Sequence, residues 1–210
     1  MHSKNILFNN FKLKTKTSYI KKLLSKLLNE DNQILHSLGK NYKDSFNKKD
    51  LSKYRKYLNI RIIGMGGSSL GTRAIYSFLK HRIKKKLFFY DNLQLNLSKN
   101  NKKHLNLIVS KSGNTLETIV NSNIFTNKLD KNIFITENKK SYLYAQANKL
   151  KSDIIHHNNY IGGRYSVLSE VGMLPAELMG LKAIHFRQFN SIINNKKFFN
   201  SLIQNVASTV

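Results

Sequence analysis

Short apolar segments alternate with segments of helical periodicity from residue 59 onward, and this alternation limits the possible folds more than any other feature of the chain. Five such segments, each ending at a glycine or a polar residue, are strand candidates: 59–63, 87–90, 105–109, 133–135 and 154–155. Helical patterns lie between most of them, at 69–82, 115–129 and 141–151. Strands that alternate with helices form βαβ units around a parallel sheet that is covered on both faces. We therefore predict an α/β three-layer sandwich with a five-stranded parallel sheet, whose ligands bind beyond the carboxyl ends of the strands.

The flanking stretches are helical in pattern. Residues 1–57 are polar and rich in lysine, with apolar residues at helical spacing at Ile20, Leu23, Leu24, Leu27 and Leu28. Helical patterns return at 167–181 and 188–207, and Pro175 is expected to kink or restart the first of these. The predicted organisation is an N-terminal helical arm at 1–57, an α/β domain at 58–185, and a helical segment at 186–210 that leads into a missing second half.

The composition excludes several classes of site. The chain has no cysteine, which excludes disulfides, thiolate catalysis and cysteine-ligated metals. Its seven histidines show no H-x-x-x-H or H-E-x-x-H spacing, so we expect no metal. The N-terminus does not have the pattern of a secretory signal, and no apolar run approaches the ~20 residues of a membrane span. We therefore predict a cytoplasmic protein that does not bind a membrane.

The net charge of +25 has two interpretations. A polyanion-binding surface is one, and a compositional drift toward lysine, asparagine and isoleucine is the other. The lysines are spread along the whole chain, and the aromatic residues lie in apolar segments and are not interleaved with basic ones, as a base-stacking surface requires. We favour the second interpretation and expect no nucleic-acid partner.

The first of three motifs, residues 64–71 (GMGGSSLG), lies between a strand candidate and a helical pattern. Glycines there let the backbone approach a ligand, and the helix that follows offers free N–H groups to an anion. The motif is not G-x-G-x-x-G, because Ser69 takes the last glycine position, and no P-loop lysine follows. A dinucleotide site remains an alternative, because Asp91 ends the next strand candidate, where a ribose-binding acid would lie. A tight turn without any ligand explains the glycines equally well.

The second motif, residues 110–118 (SKSGNTLET), also lies between a strand candidate and a helical pattern. Hydroxyls, backbone N–H groups and a helix N-terminus together can satisfy the acceptor oxygens of a phosphate. The alternative is simple capping, with Asn114 as the N-cap and Glu117 three residues later. We favour phosphate binding by Ser110, Ser112 and Thr115.

The third motif, residues 162–166 (GGRYS), places two glycines before Arg164. A guanidinium stays charged and offers a rigid fork of donors, which suits a developing oxyanion. Taken in isolation, the motif is more often a surface arginine after a turn.

All three motifs in this order resemble the glucose-6-phosphate isomerase family, with residues 159–167 (NYIGGRYSV) as the most specific match. The resemblance covers about residues 58–182 and implies a sugar-isomerase (SIS) fold. It implies that hexose 6-phosphate is bound by Ser110, Ser112 and Thr115 with the backbone of Lys111 near the phosphate. It also implies that Gly67 and Ser68 lie beside the sugar, and that Arg164 is catalytic, over the C1–C2 oxygens. Three positions depart from the family pattern, namely Asn114, Ser69 and Glu170.

The reaction implied by the resemblance interconverts glucose 6-phosphate and fructose 6-phosphate through an enediolate, without metal or organic cofactor. In the family, the general base is a glutamate downstream of the arginine motif, and the full-length enzyme is expected to be a homodimer. None of Glu117, Glu137, Glu170 and Glu177 lies in the motif that carries this base. We interpret the chain as an N-terminal fragment that is inactive alone. A non-catalytic sugar-phosphate-binding SIS domain is the main alternative.

Overall fold

The computed structural model of the protein describes residues 17–93, 103–127 and 130–209. The chain forms two compact units. One is Lys43–Ala183, and the other combines Met1–Tyr42 with Ile184–Val210.

The unit Lys43–Ala183 is built on a five-stranded parallel sheet with the strand order β2-β1-β3-β4-β5. Its strands are β1 Asn59–Ile63, β2 Lys86–Tyr90, β3 Leu105–Val109, β4 Lys131–Thr136 and β5 Asp153–His156. The predicted α/β class and all five strands are confirmed. The strands β4 and β5 extend past their apolar segments because polar end residues also pair, as Asp153 does with Ile133.

Two helices cover one face of this sheet. Along β1 and β3 the side chains alternate between the faces, so Ile63 and Ile108 point to the same side. There they pack with Phe125 of α4 (Leu116–Phe125) and with Leu143 of α5 (Tyr142–Lys149) in one buried cluster. The helices predicted at 115–129 and 141–151 are therefore α4 and α5, which position the loops at both ends of the strands.

A buried polar ladder crosses the same face of the sheet. Arg61, Asn106 and Asn132 are adjacent in the register of β1, β3 and β4. Arg61 donates to Asp130 at 2.8 Å, and Asn106 donates to Asn132 at 2.8 Å. Asp130 also accepts from the backbone N–H of His104 at 2.9 Å. A buried ion pair is stable only when its remaining lone pairs and protons are hydrogen bonded. A shift in register would separate these groups, so the ladder fixes the register of three strands.

Helix α3 (Gly67–Leu79) packs against α6 (Glu170–Leu178). Pro175 was expected to kink or restart this helix, and the restart is wrong, because α6 continues through the proline to Leu178. Proline cannot donate to the carbonyl four residues earlier, which belongs to Val171. The hydroxyl of Thr72 in α3 donates to that carbonyl at 3.1 Å, so the acceptor is satisfied from outside the helix.

The flanking unit is helical. Its helices are α1 Ser18–Asn29, α2 Gln33–Leu38, α7 Phe189–Ile193 and α8 Lys196–Thr209, with α1 packed on α8. The predicted N-terminal helix is confirmed as α1, while residues 1–16 of the predicted arm lie outside the described residues. The pattern predicted as one helix at 188–207 forms two helices because the side chain of Asn195 accepts from the N–H of Phe198 and starts α8 anew.

Candidate functional site

The first two motifs meet because their strands are neighbours. The chain leaves β1 toward β2 on one side and leaves β3 toward β4 on the other, so a topological switch point lies between β1 and β3. Ligands of open α/β sheets bind in the crevice at such a point. The backbones are close there, since a Cβ added at Gly64 would lie 2.6 Å from the carbonyl oxygen of Val109.

The loop after β3 is folded by its own hydroxyls. The hydroxyls of Ser110 and Thr115 hydrogen bond to each other at 2.9 Å, and the N–H of Gly113 donates to Ser110 Oγ at 3.2 Å. Gly113 has a φ of 69°, which favours glycine. Ser110 is buried and Thr115 half-buried, while Ser112 is exposed. The loop therefore lies compactly at the start of α4.

The alternative that Asn114 caps this helix is wrong. Thr115, not Asn114, is the N-cap of α4, and its side chain makes no cap hydrogen bond. The side-chain oxygen of Asn114 accepts from the N–H of Tyr142 at 2.9 Å instead. As a result, the first N–H groups of α4 have no side-chain cap and keep their capacity to bind an anion.

Helix α3 also begins without a side-chain cap, although the N–H groups of Ser68 and Ser69 already donate to the carbonyls of Met65 and Gly66 at 3.0 Å. Its N-cap is Gly66, which has no side chain to cap the first turn. The half-buried Ser68 lies in this first turn, one residue after Gly67. Two helix N-termini without side-chain caps therefore lie on the two sides of the switch point.

The arginine motif lies directly against the first glycine loop. A Cβ added at Gly67 would be 2.3 Å from the carbonyl oxygen of Gly163, so these two backbones touch. The hydroxyl of Ser166 donates to the carbonyl of Gly163 at 2.7 Å and to that of Gly67 at 3.3 Å. Arg164 itself is exposed, and its guanidinium makes no ion pair within the described parts of the chain. The contact brings a free cation to the edge of the switch point.

Lys111 links the phosphate-binding candidate to the arginine motif. Its Nζ donates to the carbonyl of Asn159 at 2.5 Å and lies 3.8 Å from Glu137. Protein groups thus already bind the ammonium of Lys111, which leaves only its backbone available to a ligand.

The sequence did not indicate the role of Glu170, the first residue of α6. Its carboxylate is fully buried and accepts from both the N–H and the hydroxyl of Ser45, at 2.9 and 3.0 Å. The preceding Ser169 donates to the carbonyl of Ser166 at 2.7 Å. Glu170 therefore attaches the segment before β1 to the end of the arginine motif. The departure from the family pattern was visible in the sequence, but its partner, 125 residues away, was not.

Two titratable groups next to these loops have shifted pKa values. A hydrogen bond from Lys139 is the main cause that lowers the pKa of Glu137. Burial lowers the pKa of His157, which is 2% exposed, and the nearby charge of Lys111 acts in the same direction, against the carboxylates of Glu170 and Glu137. Burial therefore favours the neutral form of His157.

Asp91, the acidic residue on which the dinucleotide alternative depends, already has a partner. Asp91 accepts from Arg73 at 2.5 Å, so its carboxylate is already paired.

Across the described ranges, no three histidine or acidic side chains form a group that could hold a metal ion. No helix there is long and apolar enough to cross a bilayer.

Known proteins are similar to this chain in sequence and in fold. Residues 40–207 match the sequence model of the family Phosphoglucose isomerase. The glucose-6-phosphate isomerase of Methanocaldococcus jannaschii is 36% identical over 156 residues, which cover 67% of this chain and 38% of the archaeal one. The chain thus spans well under half the length of this relative.

Two solved structures have the same fold. A hypothetical protein of Thermus thermophilus superposes with a TM-score of 0.68 at 21% identity, over 91% of this chain and 51% of that one. The tagatose-6-phosphate ketose/aldose isomerase of Escherichia coli superposes with a TM-score of 0.50 at 15% identity, over 77% and 46%. The predicted sugar-isomerase fold is confirmed, and the sequence match over residues 40–207 shows that the chain belongs to the phosphoglucose isomerase family.

Proposed function

We propose that this chain is the part of a glucose-6-phosphate isomerase that binds the substrate phosphate and supplies one catalytic residue. The observation that carries the proposal is the pair of helices, α3 and α4, that begin without side-chain caps on either side of one switch point. The uncapped N–H groups of α4 and the dipoles of both helices favour a phosphate dianion. The hydroxyls of Ser110, Ser112 and Thr115 and the backbone of Lys111 complete the phosphate-binding group, with Gly67 and Ser68 beside the sugar.

Arg164 is the catalytic residue in this proposal. Isomerisation removes the proton from C2 and returns it to C1, and negative charge develops on the C1–C2 oxygens of the enediolate between these steps. Among the described residues the guanidinium of Arg164 has no competing ion pair, and its loop contacts Gly67, so it can stabilise that charge. No metal or organic cofactor is required for this chemistry.

We place the general base outside this chain. Glu137 is paired with Lys139, Glu170 accepts from Ser45, and Glu177 is paired with Lys48 at 2.8 Å. A carboxylate used in this way is not positioned to take a proton from C2. Glu117 lies in the first turn of α4, before the arginine motif, whereas the resemblance implies a base after it. The proposal includes a sugar-isomerase domain at 58–185, a homodimer and a cytoplasmic setting for the complete enzyme. The chain alone then binds hexose 6-phosphate and does not isomerise it.

Calorimetric titration of the purified chain with glucose 6-phosphate tests the binding half of this proposal. We expect binding of glucose 6-phosphate but not of glucose, because the phosphate supplies the charge. Ser110→Ala removes a hydroxyl and is expected to weaken binding about tenfold. Ser208→Ala, in α8, is the matched control and should leave the affinity unchanged. Equal binding of glucose, or equal losses in both variants, would contradict the phosphate site.

Turnover tests the catalytic half. In the complete enzyme, Arg164→Ala is expected to lower turnover about 100-fold or more while changing glucose 6-phosphate affinity much less. A non-catalytic sugar-phosphate-binding SIS domain would show no turnover that depends on Arg164. Turnover above background by the purified 210-residue chain, measured in an assay coupled to a dehydrogenase, would show that the base is within it.

A further inference from the structure

A cavity of about 640 Å³ lies at the amino edge of the sheet, opposite the loops described above. Its lining includes Lys131 and Asp153, the first residues of β4 and β5. Strands of this length place the two edges roughly 15 Å apart. The cavity is therefore separate from the switch point, and what binds there does not depend on the proposed isomerase function.

Positive charge predominates around this cavity. Five lysines line it: Lys53, Lys56, Lys131, Lys149 and Lys151. The two aspartates in the lining are already neutralised, since Asp130 is paired with Arg61 and Asp153 with Lys53 at 2.6 Å. Asp153 also accepts from the hydroxyl of Tyr54 at 2.8 Å. Except for Lys53, none of the lysines has an ion pair in the part of the chain that the structure describes.

Lys151 occupies a position where glycine is the usual residue. It follows the end of α5 with a φ of 49°, and the N–H of Ser152 donates back to Ala147 at 2.9 Å, as in a Schellman motif. A residue with a Cβ is strained in this left-handed conformation. The strained lysine places its charge on the cavity wall.

We propose that this cavity binds a small multivalent anion of the organic bisphosphate or pyrophosphate class, held by Lys131, Lys149 and Lys151. The cavity volume suits a small molecule. The rings of Tyr54 and Tyr57 are only 5% and 9% exposed, so no aromatic face is open for stacking on a base. Recognition therefore depends on charge, which favours a phosphorylated small molecule over a nucleic acid.

Titration of the purified chain with inorganic pyrophosphate at fixed ionic strength tests the site. We expect Lys131→Ala and Lys149→Ala each to weaken binding about fivefold, the effect of losing one partly exposed charge contact. Lys80→Ala, at an exposed lysine outside the cavity, should change the affinity by less than about twofold. Absence of binding at millimolar pyrophosphate, or equal losses in all three variants, would overturn the proposal.

Lys151→Gly separates binding from stability. Glycine relieves the left-handed strain, so the Tm should rise by about 2 °C while pyrophosphate binding weakens about fivefold. The competing explanation is that the lysines only offset the negative helix ends that point to this edge. In that case Lys149→Ala would lower the Tm and leave pyrophosphate affinity unchanged, which would overturn the proposal. A single-stranded oligonucleotide that binds through these lysines when pyrophosphate does not would overturn it as well.

Discussion

At the amino half of the sheet, a guanidinium, a carboxylate and two amides are buried and bind one another. At the carboxyl edge, by contrast, two helices begin without side-chain caps, and one arginine has no ion pair with any residue that the structure describes. The first set consists of Arg61, Asp130, Asn106 and Asn132. The second consists of the loops that contain Gly67, Ser110 and Arg164. Both regions belong to one sheet, so this is a difference between two ends of the same strands.

This difference separates stability from binding. Buried groups that satisfy each other stabilise the fold and have no capacity left for a ligand. Groups left unsatisfied at an accessible edge add little stability and retain that capacity. Substitutions in the buried set around Arg61 should therefore change the free energy of unfolding, and those at the carboxyl edge should change sugar-phosphate binding.

The largest expected effect is at Arg61. Arg61→Met leaves the carboxylate of Asp130 buried without its cation, so the free energy of unfolding should fall by about 3–5 kcal/mol. Urea unfolding followed by circular dichroism measures this loss. The double variant Arg61→Met with Asp130→Asn removes the stranded charge and should recover part of it. A double variant that loses as much as the two single variants combined would contradict this account of the ladder.

A smaller loss of stability, with a larger loss of binding, is expected at Gly67. Gly67→Ala forces its loop away from Gly163, which should lower the free energy of unfolding by about 1–3 kcal/mol and weaken glucose 6-phosphate binding more than about tenfold. Gly162→Ala is the matched control, because its Cβ would lie 3.6 Å from the ring of Tyr165. Equal titration curves for both variants would show that contact between the two loops is not needed for binding.

The smallest expected effect is a pH dependence from His157. Burial keeps the pKa of the folded imidazole below its ordinary value of 6.5, so below that pH the unfolded chain takes up a proton that the folded chain does not. Stability should therefore be fully present above pH 6.5 and fall as the pH drops toward 5.5. His157→Gln should flatten the plot of Tm against pH, whereas the exposed His156→Gln should preserve its slope. Identical slopes for all three proteins would exclude His157 as the source.

The sheet was predictable from the sequence because each strand is a short apolar segment that ends at a glycine or polar residue. The proximity of the first two motifs was also predictable, since residues that follow neighbouring parallel strands share one edge. Two features of the fold were not. Arg61 and Asn106 look like exposed positions in their strands until the register places them together. Pro175 looks like a helix break until α3 provides the missing donor.

Details of the candidate site depended on contacts distant in sequence. Asn114 is a good N-cap by residue type, yet the N–H of Tyr142 binds its side chain and the cap moves to Thr115. Nothing near Glu170 in the sequence indicates Ser45 as its partner. The contact between Gly67 and Gly163 required the resemblance to a family, because local patterns do not pair loops nearly 100 residues apart.

The hydrogen bond between Thr72 and Val171 has a consequence for how the site is held. A helix without the proline would satisfy that carbonyl internally, so only side-chain packing would oppose a slide along its neighbour. Here, sliding would leave a buried acceptor without a donor, so the two helices are restricted to one relative position. One of these helices starts at Gly67, and the other follows the loop that carries Arg164. The only proline of the chain thus helps set the distance between the backbone of Gly67 and the loop that carries Arg164.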